Sequence, residues 1–112
     1  MDALDSPNIY EDITVATGCD LNWSFQLTPW DGTGSTATFN VFDPNNNLHT
    51  YSMVITVTHV DDVAYTSFSV HLSPTQLAAI DLTSGNTVNY YVRQTMTDGS
   101  IWAIGYGMVL VS

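Results

Sequence analysis

Hydrophobic and polar residues alternate along most of this chain with the period of two that puts successive side chains on opposite faces of a β-strand. Leu21-Asn22-Trp23-Ser24-Phe25-Gln26-Leu27 sets four large apolar residues against three polar ones, which predicts a half-buried strand with Trp23 and Phe25 in the core. Thr36 to Phe42 repeats the pattern with Ala37, Phe39 and Val41 on one face. Ile9 to Val15, bounded by Gly18, reads as a first strand. Thr50 to Val60 and Ala64 to Leu72, dominated by Val, Ile, Thr, Tyr and Phe, read as a hairpin around Asp61-Asp62.

The clearest hairpin lies in Thr87 to Val111, where two long β-type runs flank Thr97-Asp98-Gly99-Ser100. Asp-Gly suits a two-residue type I′ turn, because both central positions need positive φ. If Asp98-Gly99 is the whole turn, Met96 faces Ile101, Gln94 faces Ala103, Val92 faces Gly105, Tyr90 faces Gly107 and Val88 faces Val109. That set is the expected core face. The reverse face pairs Thr95 with Trp102, Arg93 with Ile104, Tyr91 with Tyr106 and Asn89 with Met108, and is too apolar for an ordinary solvated surface. It is either covered by a partner or is the second sheet's share of the core. A bulge at the turn would exchange the two faces.

Between the strands lie turn residues: Pro29, Asp31, Gly32 and Gly34 in one loop, and Asp43-Pro44-Asn45-Asn46-Asn47 in another. Trp30, in the first loop, is either an exposed contact or an aromatic folded over the end of the sandwich. Ser73-Pro74-Thr75-Gln76 has the cap, the N1 proline and the capping-box glutamine of a helix start, which predicts one short helix near residues 74–80. The fold class that follows is all-β: an antiparallel two-sheet immunoglobulin-like sandwich of about seven strands. An eight-stranded barrel or jelly roll is the alternative. Residues 1–8, acidic and interrupted by Pro7, read as an extended N-terminal arm, and residues 9–112 as a single domain.

Eleven acids against one basic residue, Arg93, give a formal net charge of −10. Phosphate-backbone affinity comes from Lys and Arg, so nucleic acid is excluded as a partner, and an anionic membrane surface with it. With 45% hydrophobic and 11% charged residues the chain reads as folded. The single cysteine, Cys19, permits no intrachain disulfide and reads as a small buried or half-buried hydrophobe. Met1 to Pro7 has neither a basic nor an apolar signal region, so folding in a cytoplasm is expected.

No nucleophile, base and orienting group are specified together, so no catalytic residues and no cofactor are expected. His59 and His71, twelve residues apart across the Asp61-Asp62 turn, read as sheet-surface histidines on neighbouring strands rather than metal ligands. Asp31 to Ser35 and Asp61-Asp62 offer oxygen ligands, but neither matches an EF-hand loop.

Leu21 to Leu27, Asp31-Gly32, the strand Ala37 to Asp43, Val70 to Ser73 before a short helix, Gly85, the run Tyr90-Tyr91-Val92, Asp98-Gly99 and Gly105 before a closing valine strand together form a pattern. It resembles the small immunoglobulin-like β-sandwich modules of tailed-bacteriophage virion proteins, such as the amino-terminal module of lactococcal baseplate upper proteins. The resemblance spans roughly Asp20 to Val111. It implies a non-enzymatic virion structural protein, folded in the host cytoplasm before assembly. Its partners would be other virion proteins, major capsid or tail and baseplate subunits, bound in multiple copies. A free-standing module suits a capsid decoration or cement protein, or a tail or baseplate adaptor. The expected partner-binding residues are Tyr91, Arg93, Trp102, Ile104 and Tyr106 on the reverse face, and Trp30. The alternative is a carbohydrate-binding β-sandwich that uses the same aromatic rings as stacking platforms.

Overall fold

The alternating segments form nine strands and one helix among the residues described by the computed structural model, 9–82 and 85–112. They are β1 (Ile9–Tyr10), β2 (Ile13–Val15), β3 (Leu21–Leu27), β4 (Thr36–Phe42), β5 (Leu48–Ser52), β6 (Val54–Val60), β7 (Val63–Leu72), α1 (Pro74–Ala79), β8 (Thr87–Thr95) and β9 (Ile101–Val111). The arm expected over residues 1–8 lies outside the described residues. One sheet has the order β1-β9-β8-β4-β5, with β2 also paired to β9, and the other has the order β3-β7-β6. Immunoglobulin sandwiches divide their strands in the same way, with C, F and G in one sheet and B, E and D in the other.

Two predicted strands are divided, each for a packing reason. The run expected as one strand from Thr50 to Val60 changes sheets at Met53, which is buried and whose N–H donates to the Ala37 carbonyl at 2.9 Å. β5 therefore pairs with β4 and β6 with β7, making a corner of the sandwich. The run from Ile9 to Val15 breaks at Glu11-Asp12, and both halves pair parallel with β9. The break lets the Glu11 carbonyl lean over Gly107, where an added Cβ would lie 2.0 Å from that oxygen. The Tyr90 hydroxyl donates to the same carbonyl at 2.6 Å. Gly107 is thus the position that admits the kinked edge strand.

The β8–β9 turn is longer than the two residues expected. Met96 N–H donates to the Ser100 carbonyl at 2.8 Å, and the Met96 carbonyl accepts from Gly99 N–H at 3.0 Å. Gly99 alone has positive φ, +88°, while the Asp98 carboxylate accepts from the Ser100 N–H at 2.8 Å and its hydroxyl at 2.6 Å. This is the three-residue hairpin loop with glycine in the left-handed position. The two-residue turn with positive φ at both centres is Asp61-Asp62, at 50° and 64°.

A bulge then divides the hairpin. From Val92–Gly105 to Val88–Val109 the register is the one predicted, including Tyr91–Tyr106 and Asn89–Met108. Beyond it the pairs are Arg93–Ala103, Gln94–Trp102 and Thr95–Ile101, leaving Ile104 as the extra residue. The expected pairs Arg93–Ile104, Thr95–Trp102, Gln94–Ala103 and Met96–Ile101 are replaced. Ile104 turns fully inward, at 0% exposure.

The core between the sheets joins Phe39, Val41, Phe68, Val92, Ile104 and Val109, all fully buried. The Trp23 ring packs against Phe25 at 4.9 Å and Tyr90 at 5.2 Å between centroids. Ser73 caps α1 in a complete capping box with Gln76, and Leu77 and Ile80 close the sandwich end. Cys19 departs from its expectation. Its N–H closes a turn onto the Ala16 carbonyl at 3.0 Å, and the residue is exposed.

Candidate functional site

Period-two alternation and strand pairing together build an aromatic row across the outer face of the β1-β9-β8-β4-β5 sheet. Tyr10 pairs with Tyr106, Tyr106 with Tyr91, and Tyr91 with Asn40, so these four side chains stand side by side on one surface. The Tyr10 and Tyr106 rings meet edge-on at 5.1 Å and are 57% and 46% exposed. Tyr91 is half-buried, with the Phe42 ring at 6.1 Å. Phe42 pairs in turn with Leu48, and Met108 lies in the same outward set.

Arg93 stands beside one of these rings. Its guanidinium carbon lies 5.6 Å from the Tyr91 centroid, a cation–π distance, and it forms no ion pair with any described residue. The only basic residue of the chain is therefore exposed on an aromatic surface. The face is braced at both sides. Asn40 accepts from Thr50 Oγ1 at 2.8 Å and donates to Thr38 Oγ1 at 3.0 Å. On the β1 side, Asp12 accepts from Met108 N–H at 3.2 Å and from the Tyr10 hydroxyl, which raises the hydroxyl's pKa.

Of the six residues expected to contact a partner, Tyr91, Arg93 and Tyr106 share this outward face. Ile104 was expected beside Arg93, but the bulge carries it into the core. Trp102 is half-buried on the core side and meets Trp30 edge-to-face at 5.9 Å. Trp30 itself is 5% exposed, folded over the end of the sandwich. Its indole N–H donates to Gln94 Oε1 at 2.8 Å, Gln94 Nε2 donates to Ser35 Oγ at 2.8 Å, and the Trp30 backbone carbonyl accepts from Thr66 Oγ1 at 2.5 Å. A buried polar network thus anchors the Trp30 ring, while its neighbours Pro29, Asp31 and Thr33 are exposed. Tyr10 and Phe42 join the face without having been singled out. Alternation in Thr36 to Phe42 already sets Phe42 opposite Ala37, Phe39 and Val41, so its outward position was readable; the parallel pairing that brings in Tyr10 left no sequence signal.

The histidines each meet one aspartate: His49–Asp43 at 2.9 Å, His59–Asp31 at 3.3 Å and His71–Asp20 at 2.5 Å. The Asp43 pKa is lowered, first by the Asn47 N–H and then by His49. Asp31 is lowered by Thr33, and Asp98 by Ser100. Among the described residues these pairs stand apart, and no three potential metal ligands come together. A recess of about 460 Å³ opens on the other sheet, where Asn22, Ser24, Ser69 and His71 line it with Trp23. The buried Trp23 indole N–H has no hydrogen-bond partner. No described helix is long and apolar enough to cross a membrane.

No protein-family model matches this chain, and no curated protein matches it.

Proposed function

We propose that this chain is a non-enzymatic structural protein of a bacteriophage virion, a β-sandwich that binds other virion proteins through the outer face of the β1-β9-β8-β4-β5 sheet. The observation that carries the reading is the row Tyr10–Tyr106–Tyr91, with exposed Arg93 over the Tyr91 ring, on the outer face of a hydrogen-bonded sheet. Tyrosine and arginine are enriched in binding hot spots: tyrosine buries much area at low entropic cost and keeps a polar tip, and the arginine guanidinium combines a stacking plane with a fork of donors. Such a face suits a decoration protein on a capsid or an adaptor repeated around a tail or baseplate. Multiple copies then compensate for modest affinity at each contact. The test is the protein composition of intact particles from a phage that encodes the chain. Detection at stoichiometric copy number by mass spectrometry is expected, and absence from purified particles overturns the reading.

Carbohydrate binding is the second reading. Two of its proposed stacking rings, Trp30 and Trp102, pack inward. What favours it instead is the recess lined by Asn22, Ser24, Ser69 and His71, to which Trp23 also contributes. Saturation-transfer NMR with oligosaccharides, repeated on Asn22→Ala, separates the two readings: a transfer signal lost in the variant supports sugar binding.

A further inference from the structure

The three-stranded sheet ends in β6, whose outer edge has no partner strand among the described residues. Its seven residues, Val54-Ile55-Thr56-Val57-Thr58-His59-Val60, contain no Asp, Glu, Lys, Arg, Pro or Gly, in a chain of formal net charge −10. Val54 is 65% and Val60 51% exposed. Proteins ordinarily guard such an edge with charge, proline, a bulge or a very short strand. The β1–β2 edge of the other sheet has such guards, carrying Glu11 and Asp12 at its kink, and β5 is short, at five residues. The remaining edge, β3, exposes no large apolar side chain. β6 alone combines length, exposed valines and freedom from charge.

The turn chemistry fixes which backbone groups are free. Because Asp61-Asp62 is a two-residue turn, Val60 and Val63 form the hydrogen-bonded pair that closes it. Alternation then directs the N–H and C=O groups of Val54, Thr56 and Thr58 toward β7. Those of Ile55, Val57 and His59 point to the open edge.

We propose that β6 pairs antiparallel with β6 of a second copy, about a two-fold axis at Val57. In that register Val57 faces its counterpart, Ile55 faces His59, Thr56 faces Thr58, and exposed Val54 faces exposed Val60. Every free N–H and C=O of the edge finds a partner, and the two sheets become one continuous sheet. The strand is self-complementary: threonine meets threonine and valine meets valine, and each is a favourable cross-strand pair. Asp61 and Asp62 fall opposite Met53 and Ser52, so no carboxylates oppose one another. Charge complementarity between strands is not needed, because the edge is the part of this acidic surface that two copies approach without like charges meeting. The −10 carried by each copy still repels at a distance, so association strengthens with salt. The interface is isologous and closes after two copies. It lies on the opposite sheet from the aromatic face and does not depend on it.

Sedimentation velocity on the full chain tests this across a concentration series in about 0.15 M salt, where a Debye length of about 8 Å screens the distant carboxylates but not charges directly opposed on neighbouring strands. The wild type is expected to dimerise. T56K combined with T58K places like charges directly opposite in both outward pairs, and raises the dimer dissociation constant several-fold, to about tenfold. Both threonines are exposed, so an unchanged urea midpoint shows that the variant stays folded. Mixing it with T56E/T58E restores association, because the opposed pairs then carry opposite charge. A wild type that remains monomeric at about 1 mM, where even millimolar affinity populates the dimer, overturns the proposal. So does a T56K/T58K protein that associates like wild type, or a mixture that fails to restore it.

Discussion

Gln94→Leu removes the amide that holds the Trp30 loop in place. Gln94 is fully buried and is the acceptor for the Trp30 indole N–H. Leucine fills most of the volume but accepts nothing, so the indole N–H is left unpaired in the interior. An orphaned buried donor costs about 1–3 kcal/mol. The lost bond to Ser35 adds little, because Ser35 Oγ keeps its bond to the Gly32 carbonyl at 2.5 Å. The expected loss is about 2 kcal/mol, or roughly 8 °C in melting temperature for a domain of this size. Urea unfolding followed by tryptophan fluorescence measures it, with the midpoint lowered and the slope unchanged. Trp30→Phe supplies the second arm of a cycle, since it keeps a ring against Trp102 and removes the donor. The double variant should recover about 1 kcal/mol relative to the sum of the single losses. Losses that add within about 0.3 kcal/mol would refute the network as the anchor of this loop.

Gly107→Ala sets a Cβ against the Glu11 carbonyl, so it should cost about 3 kcal/mol and detach β1 and β2 from β9; loss of hydrogen-exchange protection at the Glu11 and Met108 amides is the readout. The acid limb of stability should flatten in Asp43→Asn. The folded Asp43 pKa is lowered, so its contribution is complete above the unfolded carboxylate value of ~3.9 and is lost as the pH falls through the lower folded value. Urea midpoints from pH 7 to pH 2 check this, and an unchanged acid dependence in Asp43→Asn contradicts it.

The strands whose faces differ in polarity were legible in the sequence. Leu21–Leu27 and Thr36–Phe42 match to the residue, and the capping box at Ser73 marked the helix start. The change of sheet at Met53 was not legible, because the residues on both sides share one β-type composition and the corner is set by tertiary packing. The parallel edge strand was hidden for a similar reason: Gly107 announced a weak strand position, but not that another backbone would occupy the space.

The candidate face was half legible. Tyr91 and Tyr106 lie below the bulge, where counting from the turn gave the correct pairing. Arg93 keeps its outward side because β8 runs unbroken against β4 through the same region. Ile104 and Trp102 changed sides because Asp98 bonds to Ser100 and lengthens the turn, and the register recovers only by extruding Ile104 as a bulge. Asp-Gly is compatible with both turn lengths, so local sequence alone does not choose between them. Trp30 was ambiguous for a different reason. Its burial depends on Gln94, sixty-four positions away, presenting an acceptor on the neighbouring sheet.

The most direct measurement of the central claim is the copy number, in purified particles, of a variant carrying Arg93→Gln and Tyr106→Ser, supplied to a phage that lacks its own copy. Both side chains are outward, so the variant should stay folded, with a urea midpoint lowered only by the lost contacts to Tyr10 and Tyr91. Losing a tyrosine and an arginine from a hot spot costs at least about 2 kcal/mol of binding, which predicts more than tenfold fewer copies per particle than wild type. A folded variant that enters particles at the wild-type copy number would contradict the aromatic face as the docking surface.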